Sequence, residues 1–262
     1  VSDTQKFDQI NLSINDISTY QADKYWIAEG SKGLRSIQRK GSNSFEALNE
    51  PIILDGPYSN SAFDIVCKND KVYMIIGGKD LLNGKRFDKG GYILTYDYDK
   101  WSFIDPKEAQ KKLNLPRNPR DYTSIAVTTD DSNDEIVYAS SMGDGVIQYK
   151  NGTPVQSYNE KNAFKETAGG YGSGYCYIDG LAFDKNGNLW MTSSEVNHAV
   201  LVLDKAGAWH RLDIEQLRGV YTINDILITS TNDKWIYVPR NTPKLVMIPN
   251  SESLDEVSSY EF

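Results

Sequence analysis

Asp184, Asn186 and Asn188 have the D-x-N-x-N spacing that opens a calcium-binding loop. An EF-hand loop also needs a glycine at its sixth position, where this chain has Leu189 at the start of an apolar strand. A tight Asp-x-Asn-Gly turn between two strands explains the same residues. We therefore predict a hairpin turn here and no metal site.

Aspartates recur just before the first strand of four repeated segments, at Asp16, Asp64, Asp179 and Asp225. Side chains directed at a common axis would form a ring of carboxylates around a central channel. Alternatively, each carboxylate caps the amides of a turn where two repeats meet, and this explains the repetition better. We predict a structural role for them.

Enzymatic chemistry has no positive signal in the sequence. The two histidines, His198 and His210, fall in one repeat and cannot supply a multi-histidine metal site alone. Gly172-Ser173-Gly174 lacks the preceding strand of a nucleophile elbow, and neither a P-loop nor an H-E-x-x-H motif occurs. We therefore predict a non-catalytic protein that needs no cofactor.

A glycine-rich segment over residues 168–177 carries three tyrosines. The rings form a stacking platform for a sugar or peptide, or they pack on a neighbouring element as part of a connector; both interpretations remain open. His198 lies in a second loop. Arg240 lies in a third loop, where its side chain either faces an anionic group or lies along the protein surface. The candidate ligand-binding residues are Tyr171, Tyr175, Tyr177, His198 and Arg240.

Charge and hydropathy exclude two partner classes. The net charge is −8 and no dense Lys/Arg run occurs, which argues against nucleic acid as a partner. No apolar run reaches the about 18 residues of a membrane span, so we predict no membrane insertion. Cys67 and Cys176 fall in different repeats, beyond the about 7 Å reach of a disulfide, and we expect two buried free thiols.

The elements that must position these residues are short strands in a repeating unit. An aromatic residue marks the second strand of each repeat: Trp26, Tyr73, Tyr138, Trp190 and Trp235. A repeat of about 40–50 residues made of short strands and hairpin turns is typical of a β-propeller blade. We predict an all-β fold: a β-propeller of four-stranded antiparallel blades, five of them recognisable, either alone or as part of a larger propeller. The predicted blades within this single region, 1–262, are 16–48, 62–104, 122–158, 177–212 and 223–249.

The longest interval between repeats contains a predicted helical insertion at 105–121. Asp105 suits the N-cap and Pro106 the first helical position, and the helix should end near Leu115–Pro116. A second insertion lengthens the loop from Lys79 to Lys89. The outermost strand of the last blade is predicted to come from Phe7–Leu12 or from Val257–Phe262.

Several phrases of the sequence resemble PorZ-type proteins of the Bacteroidetes type IX secretion system. Two-component-regulator propeller repeats are similar as well. The phrases are Tyr25-Trp26-Ile27-Ala28, Gly56-Pro57-Tyr58-Ser59-Asn60-Ser61-Ala62-Phe63, Gly143-Asp144-Gly145-Val146 and Gly180-Leu181-Ala182-Phe183-Asp184.

The resemblance implies a non-catalytic binding or scaffold propeller in the periplasm or on the outer-membrane surface. It would recognise a surface glycan or a protein partner such as a sortase. The alternatives are the ligand-sensing propeller of a hybrid two-component regulator and a propeller lyase or hydrolase. Five repeats are fewer than the family's central propeller has, so the resemblance also implies a fragment or a stand-alone relative.

Overall fold

The computed structural model describes residues 16–28, 33–42, 44–50, 52, 55–164, 174–251, 253–254 and 257–262. It divides into an N-terminal unit, Val1–Gly56, and a C-terminal unit, Pro57–Phe262. Both units are built from antiparallel four-stranded sheets, so the all-β prediction is confirmed. Over the described residues, the structure has no helix with the length and apolar character of a membrane span.

The N-terminal unit contains one sheet with the strand order β1-β2-β3-β4. Its strands are β1 (Asp16–Gln21), β2 (Lys24–Ala28), β3 (Leu34–Gly41) and β4 (Ser44–Ala47). Ile27 on β2 and Ile37 on β3 are buried. After β4, the Asn49 side chain accepts a hydrogen bond from the Ser36 amide (2.8 Å), which ties the chain back to β3.

The described part of the C-terminal unit contains sixteen strands in four groups, each antiparallel. The first sheet comprises β5 (Ala62–Lys68), β6 (Lys71–Ile76), β7 (Ile93–Asp97) and β8 (Lys100–Ile104). The second comprises β9 (Tyr122–Thr129), β10 (Glu135–Gly143), β11 (Gly145–Lys150) and β12 (Thr153–Tyr158). The third comprises β13 (Cys176–Phe183), β14 (Leu189–Ser193), β15 (Val200–Leu203) and β16 (Trp209–Leu212). The fourth comprises β17 (Ile226–Ile228), β18 (Lys234–Val238), β19 (Lys244–Ile248) and β20 (Tyr260–Glu261).

Strand β20 answers the question of the last outer strand, because Val246 and Met247 of β19 pair with Glu261 and Tyr260. The segment Phe7–Leu12 lies outside the described residues. The third and second sheets also join, since β10 pairs with β13 at their ends.

Apolar side chains fill the space between successive sheets of the C-terminal unit, and the repeated aromatic residues contribute to this core. Tyr73 packs between the first and second sheets, Tyr138 between the second and third, and Trp190 between the third and fourth. The first strands of the four sheets contact one another in succession. At Gly180 on β13, a Cβ atom would lie 2.7 Å from the Ile226 nitrogen, so only glycine permits this approach of β13 to β17.

The predicted insertion helix is present as α1 (Pro106–Leu113). The Asp105 carboxylate accepts from the Lys107 amide (2.9 Å), which satisfies one of the free amides at the helix start. Asn114, with φ of 51°, ends the helix in the left-handed conformation, slightly before the predicted end.

The Asp184 turn is also confirmed. One oxygen of its carboxylate accepts from the amides of Asn186 (2.9 Å) and Asn188 (2.8 Å), and the other accepts from the Trp190 indole (2.9 Å).

The prediction of two buried thiols is half wrong. Both cysteines are free, but only Cys176 is buried, and burial raises the pKa of its thiol to about 12. Cys67 is exposed because side chains alternate along β5. Val66 packs against the core with Tyr73, so Cys67 points to the opposite face.

Three of the four repeated aspartates cap turn or strand amides as predicted. Asp16, Asp64 and Asp225 each accept from the next residue's amide at 2.8 Å. Asp64 also accepts from the Ile125 amide at the start of the second sheet (3.1 Å). Asp179 has a different role, because it forms a buried ion pair.

Candidate functional site

Long connections of the C-terminal unit gather at one end, because antiparallel strands reverse direction at each turn. We call this the loop end, and the opposite end, with its tight turns, the turn end. The connections at the loop end are 77–92, 105–121, 143–145, 194–199, 213–225 and 239–243, together with the described parts of 159–175. The described candidate residues, Tyr175, Tyr177, His198 and Arg240, and both insertions of the sequence analysis fall at the loop end.

A buried ion pair fixes the first of these connections. Lys79 and Asp179 are each 2% exposed, and the Lys79 ammonium donates to the Asp179 carboxylate and to the Ile223 carbonyl (2.9 Å). Ser194 donates a further hydrogen bond to Asp179. Burial raises the pKa of Asp179, while Lys79 opposes that shift.

Lys79 is also the first residue of a small hairpin at the loop end, which we call the Lys79 hairpin (Lys79–Arg86). Lys79 and Arg86 pair across it, and the Asp80 amide donates to the Lys85 carbonyl (2.8 Å). The ion pair with Asp179 therefore anchors a hairpin that carries Arg86 and the tip residue Gly84.

Three side chains converge on Gly143, the last residue of β10. A Cβ atom there would lie 3.3 Å from Tyr175, 3.4 Å from Arg86 and 3.5 Å from Arg117. The φ angle of Gly143 is 131°, which also favours glycine. The absence of a side chain at Gly143 lets two guanidinium groups and a tyrosine ring approach its backbone closely, and we call this cluster the cradle.

Arg117 is held in this cradle by two contacts. Its Nε and Nη2 donate to Asp144 Oδ1 at 2.8 and 2.7 Å, and its guanidinium lies 5.3 Å from the centre of the Tyr175 ring. Burial lowers the pKa of Arg117, but the hydrogen bonds that Arg117 donates to Tyr175 and Asp144 outweigh it and raise the pKa. Arg117 thus stays protonated with one face on an aromatic ring.

A second arginine–tyrosine pair lies at the tip of the Lys79 hairpin. The Arg240 guanidinium lies 5.4 Å from the Tyr221 ring centre. A Cβ atom at Gly84 would lie 3.2 Å from Thr222 Oγ1 and 3.4 Å from Arg240 Nη1. Nη1 is buried and makes no hydrogen bond within the described part of the chain.

Asp121 connects the Lys79 hairpin region to the α1 insertion. It is fully buried, and one carboxylate oxygen accepts from the Lys89 amide (3.0 Å), while the other makes no hydrogen bond to the described residues. Burial raises the pKa of Asp121, and nearby Arg86 opposes the shift. Asp121 also has a φ of 48°, in the left-handed region.

The structure separates the sequence-predicted site residues. Tyr175 and Arg240 each belong to an arginine–tyrosine pair. Tyr177 is the second residue of β13 and is only 3% exposed. Its ring meets the Tyr175 ring edge to face, with the ring centres 6.4 Å apart, so Tyr177 packs beneath Tyr175 and does not face a ligand. His198 lies half-buried in connection 194–199, near Asp213, whose pKa is lowered chiefly by its hydrogen bond with Arg218. Tyr171 lies outside the described residues.

Sequence reasoning missed four residues of this site: Lys79, Arg86, Arg117 and Tyr221. The two arginines fall inside the predicted insertions, so the insertions were the available signal. Lys79 begins the second insertion, but nothing in its neighbourhood indicates that its ammonium turns inward.

The two guanidinium groups of Arg117 and Arg240 can bind a ligand but are poorly suited to proton transfer. Guanidinium groups donate hydrogen bonds and do not lose protons in proteins. Backed by tyrosine rings, they can hold planar acidic groups or polar hydroxyl groups.

No protein-family model and no curated protein sequence matches the chain. Among solved structures, it is similar to PorZ, an essential bacterial surface component of the type IX secretion system of Porphyromonas gingivalis. The TM-score is 0.67 at 19% identity, over 95% of this chain and 33% of PorZ.

Two other solved structures are similar at lower scores. The extracellular domain of a putative hybrid two-component system from B. thetaiotaomicron has a TM-score of 0.48 and 16% identity, over 99% of this chain and 30% of that one. A gluconolactonase from Xanthomonas campestris has a TM-score of 0.48 and 13% identity, over 90% and 71%.

The chain thus spans about a third of the length of PorZ. At this identity the likeness concerns the fold alone, and at that level it confirms the PorZ-type resemblance inferred from the sequence.

Proposed function

We propose that this chain is a non-catalytic binding module of the bacterial cell envelope, and that its loop end binds a glycan. The observation that carries the proposal is the pair of arginine–tyrosine contacts, Arg117 on Tyr175 and Arg240 on Tyr221, on either side of the Lys79 hairpin. Glycans offer hydroxyl groups, and often acidic substituents, to such donors.

We further propose that the sheets are β-propeller blades. The repeated aromatic residue in each second strand, the successive contacts of the first strands in the C-terminal unit and the likeness to PorZ support this arrangement. In such an architecture the loop end is one mouth of the propeller, a common place for ligands.

The non-catalytic part of the proposal is supported by the chemistry of the loop end. The guanidinium groups of Arg117 and Arg240 do not lose protons in proteins, so neither residue can act as an acid or a base. Placement at the cell surface or in the periplasm is supported by the nature of PorZ, a surface component.

A glycan array that includes lipopolysaccharide fractions tests the proposal. The wild-type chain should give a signal that Arg117→Gln/Arg240→Gln loses by about tenfold or more, since each contact to a charged group is worth about 1.5–3 kcal/mol. Lys100→Gln is a matched control, because Lys100 is an exposed cation at the turn end.

Two results would count against glycan binding. A silent array together with capture of a purified sortase would leave a protein partner as the ligand. Equal signals from the wild type and the double variant would place any glycan away from the loop end.

A further inference from the structure

A groove between the second and third sheets opens at the turn end, opposite the loop end. Its volume is about 570 Å³, within the roughly 300–1,000 Å³ range of ligand pockets. Its floor is apolar, formed by Ile136, Leu189 and Leu203 together with the rings of Tyr138 and Phe183, which meet edge to face at 5.9 Å. The floor can therefore take an apolar side chain.

The rim of this groove is rigid, because its turns are held by their own side chains. Asp130 accepts from the amides of Ser132 and Asp134, both at 2.9 Å. Asp204 accepts from the Ala208 amide (2.8 Å), and the Lys205 amide donates to the Asn188 side chain (3.1 Å). The cleft is therefore preformed, and ligand binding would cost little conformational entropy of the protein.

Opposite charges lie on the two walls. The wall from the second sheet carries Asp130 and Asp131 against one cation, Lys150, which lies 2.8 Å from Asp130 and is also paired with Asp134 beside the groove. This wall has a net negative charge.

The wall from the third sheet carries Lys185 and Lys205 against one carboxylate, Asp204, which is held by His210 (2.9 Å). Lys185 donates to the backbone carbonyl of Ser230. This wall has a net positive charge.

The walls are joined across the mouth by a weak contact. Lys205 and Asp131 are 3.9 Å apart, and their side chains are 72% and 97% exposed. Exposed pairs of this kind contribute about 0–1 kcal/mol, so a ligand can displace the contact at little cost.

We propose that this groove binds an extended peptide segment of a partner protein. The segment places an apolar side chain on the floor, a basic side chain against Asp130 and Asp131, and an acidic side chain against Lys205. A saccharide fits less well, because Tyr138 is only 9% exposed and its ring is not available for stacking.

Selection of a linear random-peptide library on the full chain tests this proposal. Selected peptides should share an apolar residue with a basic residue on one side and an acidic residue on the other. The groove variant Thr128→Trp, which fills the wall of the groove from β9, should weaken binding about tenfold or more. The control Val155→Trp adds the same side chain at an exposed position of β12 and should leave affinity unchanged.

Charge inversion gives the second readout. Lys205→Glu should weaken peptides that carry the acidic residue, while fluorescence and circular dichroism show that the variant stays folded. The proposal is overturned if selected peptides bind Thr128→Trp as well as the wild type, if their charges are unrelated to the two walls, or if no peptide is selected.

Discussion

Replacement of Lys79 by methionine probes the anchor of the loop end. Asp179 would keep its hydroxyl donor Ser194 but lose the ammonium, leaving a carboxylate that is 2% exposed without a counter-charge. Breaking a buried ion pair from one side costs about 3–5 kcal/mol. We expect Lys79→Met to lower the free energy of unfolding by that amount. In urea this appears as a lower midpoint with an unchanged m-value. The Ile223 carbonyl, which accepts from Lys79 at 2.9 Å, would add to the loss.

The pH dependence of this variant separates charge from packing. Without Lys79, burial raises the folded-state pKa of Asp179 with less opposition. A carboxyl group with a raised folded pKa contributes stability that is fully present below its unfolded pKa, about 3.9, and lost as the pH rises through the folded pKa. The deficit of Lys79→Met should therefore grow from about pH 4 to about pH 7.

Two further variants complete the test of the anchor. Lys79→Met/Asp179→Asn removes both charges and should recover most of the stability. Lys85→Met, in the same hairpin but exposed, should change it by less than about 0.5 kcal/mol. A deficit below about 1 kcal/mol at neutral pH, or one that shrinks as the pH rises, would refute the reasoning.

Three other changes have defined outcomes. Asp121→Asn keeps an acceptor for the Lys89 amide, suits the φ of 48° and removes a buried charge. Urea unfolding should therefore show that the variant is as stable as the wild type or more stable near pH 7, and that it has no advantage near pH 4. Destabilisation at both pH values would contradict this. Gly143→Val places a side chain at a φ of 131° and within 3.5 Å of three other side chains. The variant should lose about 1–3 kcal/mol of unfolding free energy in urea and bind more weakly on the glycan array. Full binding would argue against a role of the cradle in ligand binding. Asp105→Ala removes the N-cap of α1 and should lower the free energy of unfolding in urea by about 1 kcal/mol. An unchanged urea midpoint would mean that the cap does not contribute to stability.

Much of the fold follows from local signals in the sequence. Trp190 and the Asp184 turn indicate two strands of the third sheet. Turn-forming residues show where one strand ends, and the apolar segment with Trp190 shows where the next one runs. Asp105 and Pro106 indicate where α1 begins. These features depend on near neighbours in the chain, which a sequence displays directly.

Other features depend on distant parts of the chain and were missed or wrong. The exposure of Cys67 depends on which face of β5 meets the next sheet. The sequence left the last outer strand open between Phe7–Leu12 and Val257–Phe262, and the pairing of β20 with β19 supports the second alternative.

The candidate site shows the same division. The sequence placed Tyr175 and Arg240 at the ends of strands, where the structure also has them. It could not pair Arg117 with Tyr175, or Lys79 with Asp179, because these partners are far apart in the chain and come together only through the packing of different sheets.

Amide hydrogen exchange of the chain, with and without a lipopolysaccharide fraction, tests most directly whether the loop end is the binding surface. The account predicts slower exchange in 79–86, 117–121 and 239–243, and unchanged exchange at the turns 98–99 and 151–152. Protection confined to the turn end, or to the N-terminal unit, would contradict it.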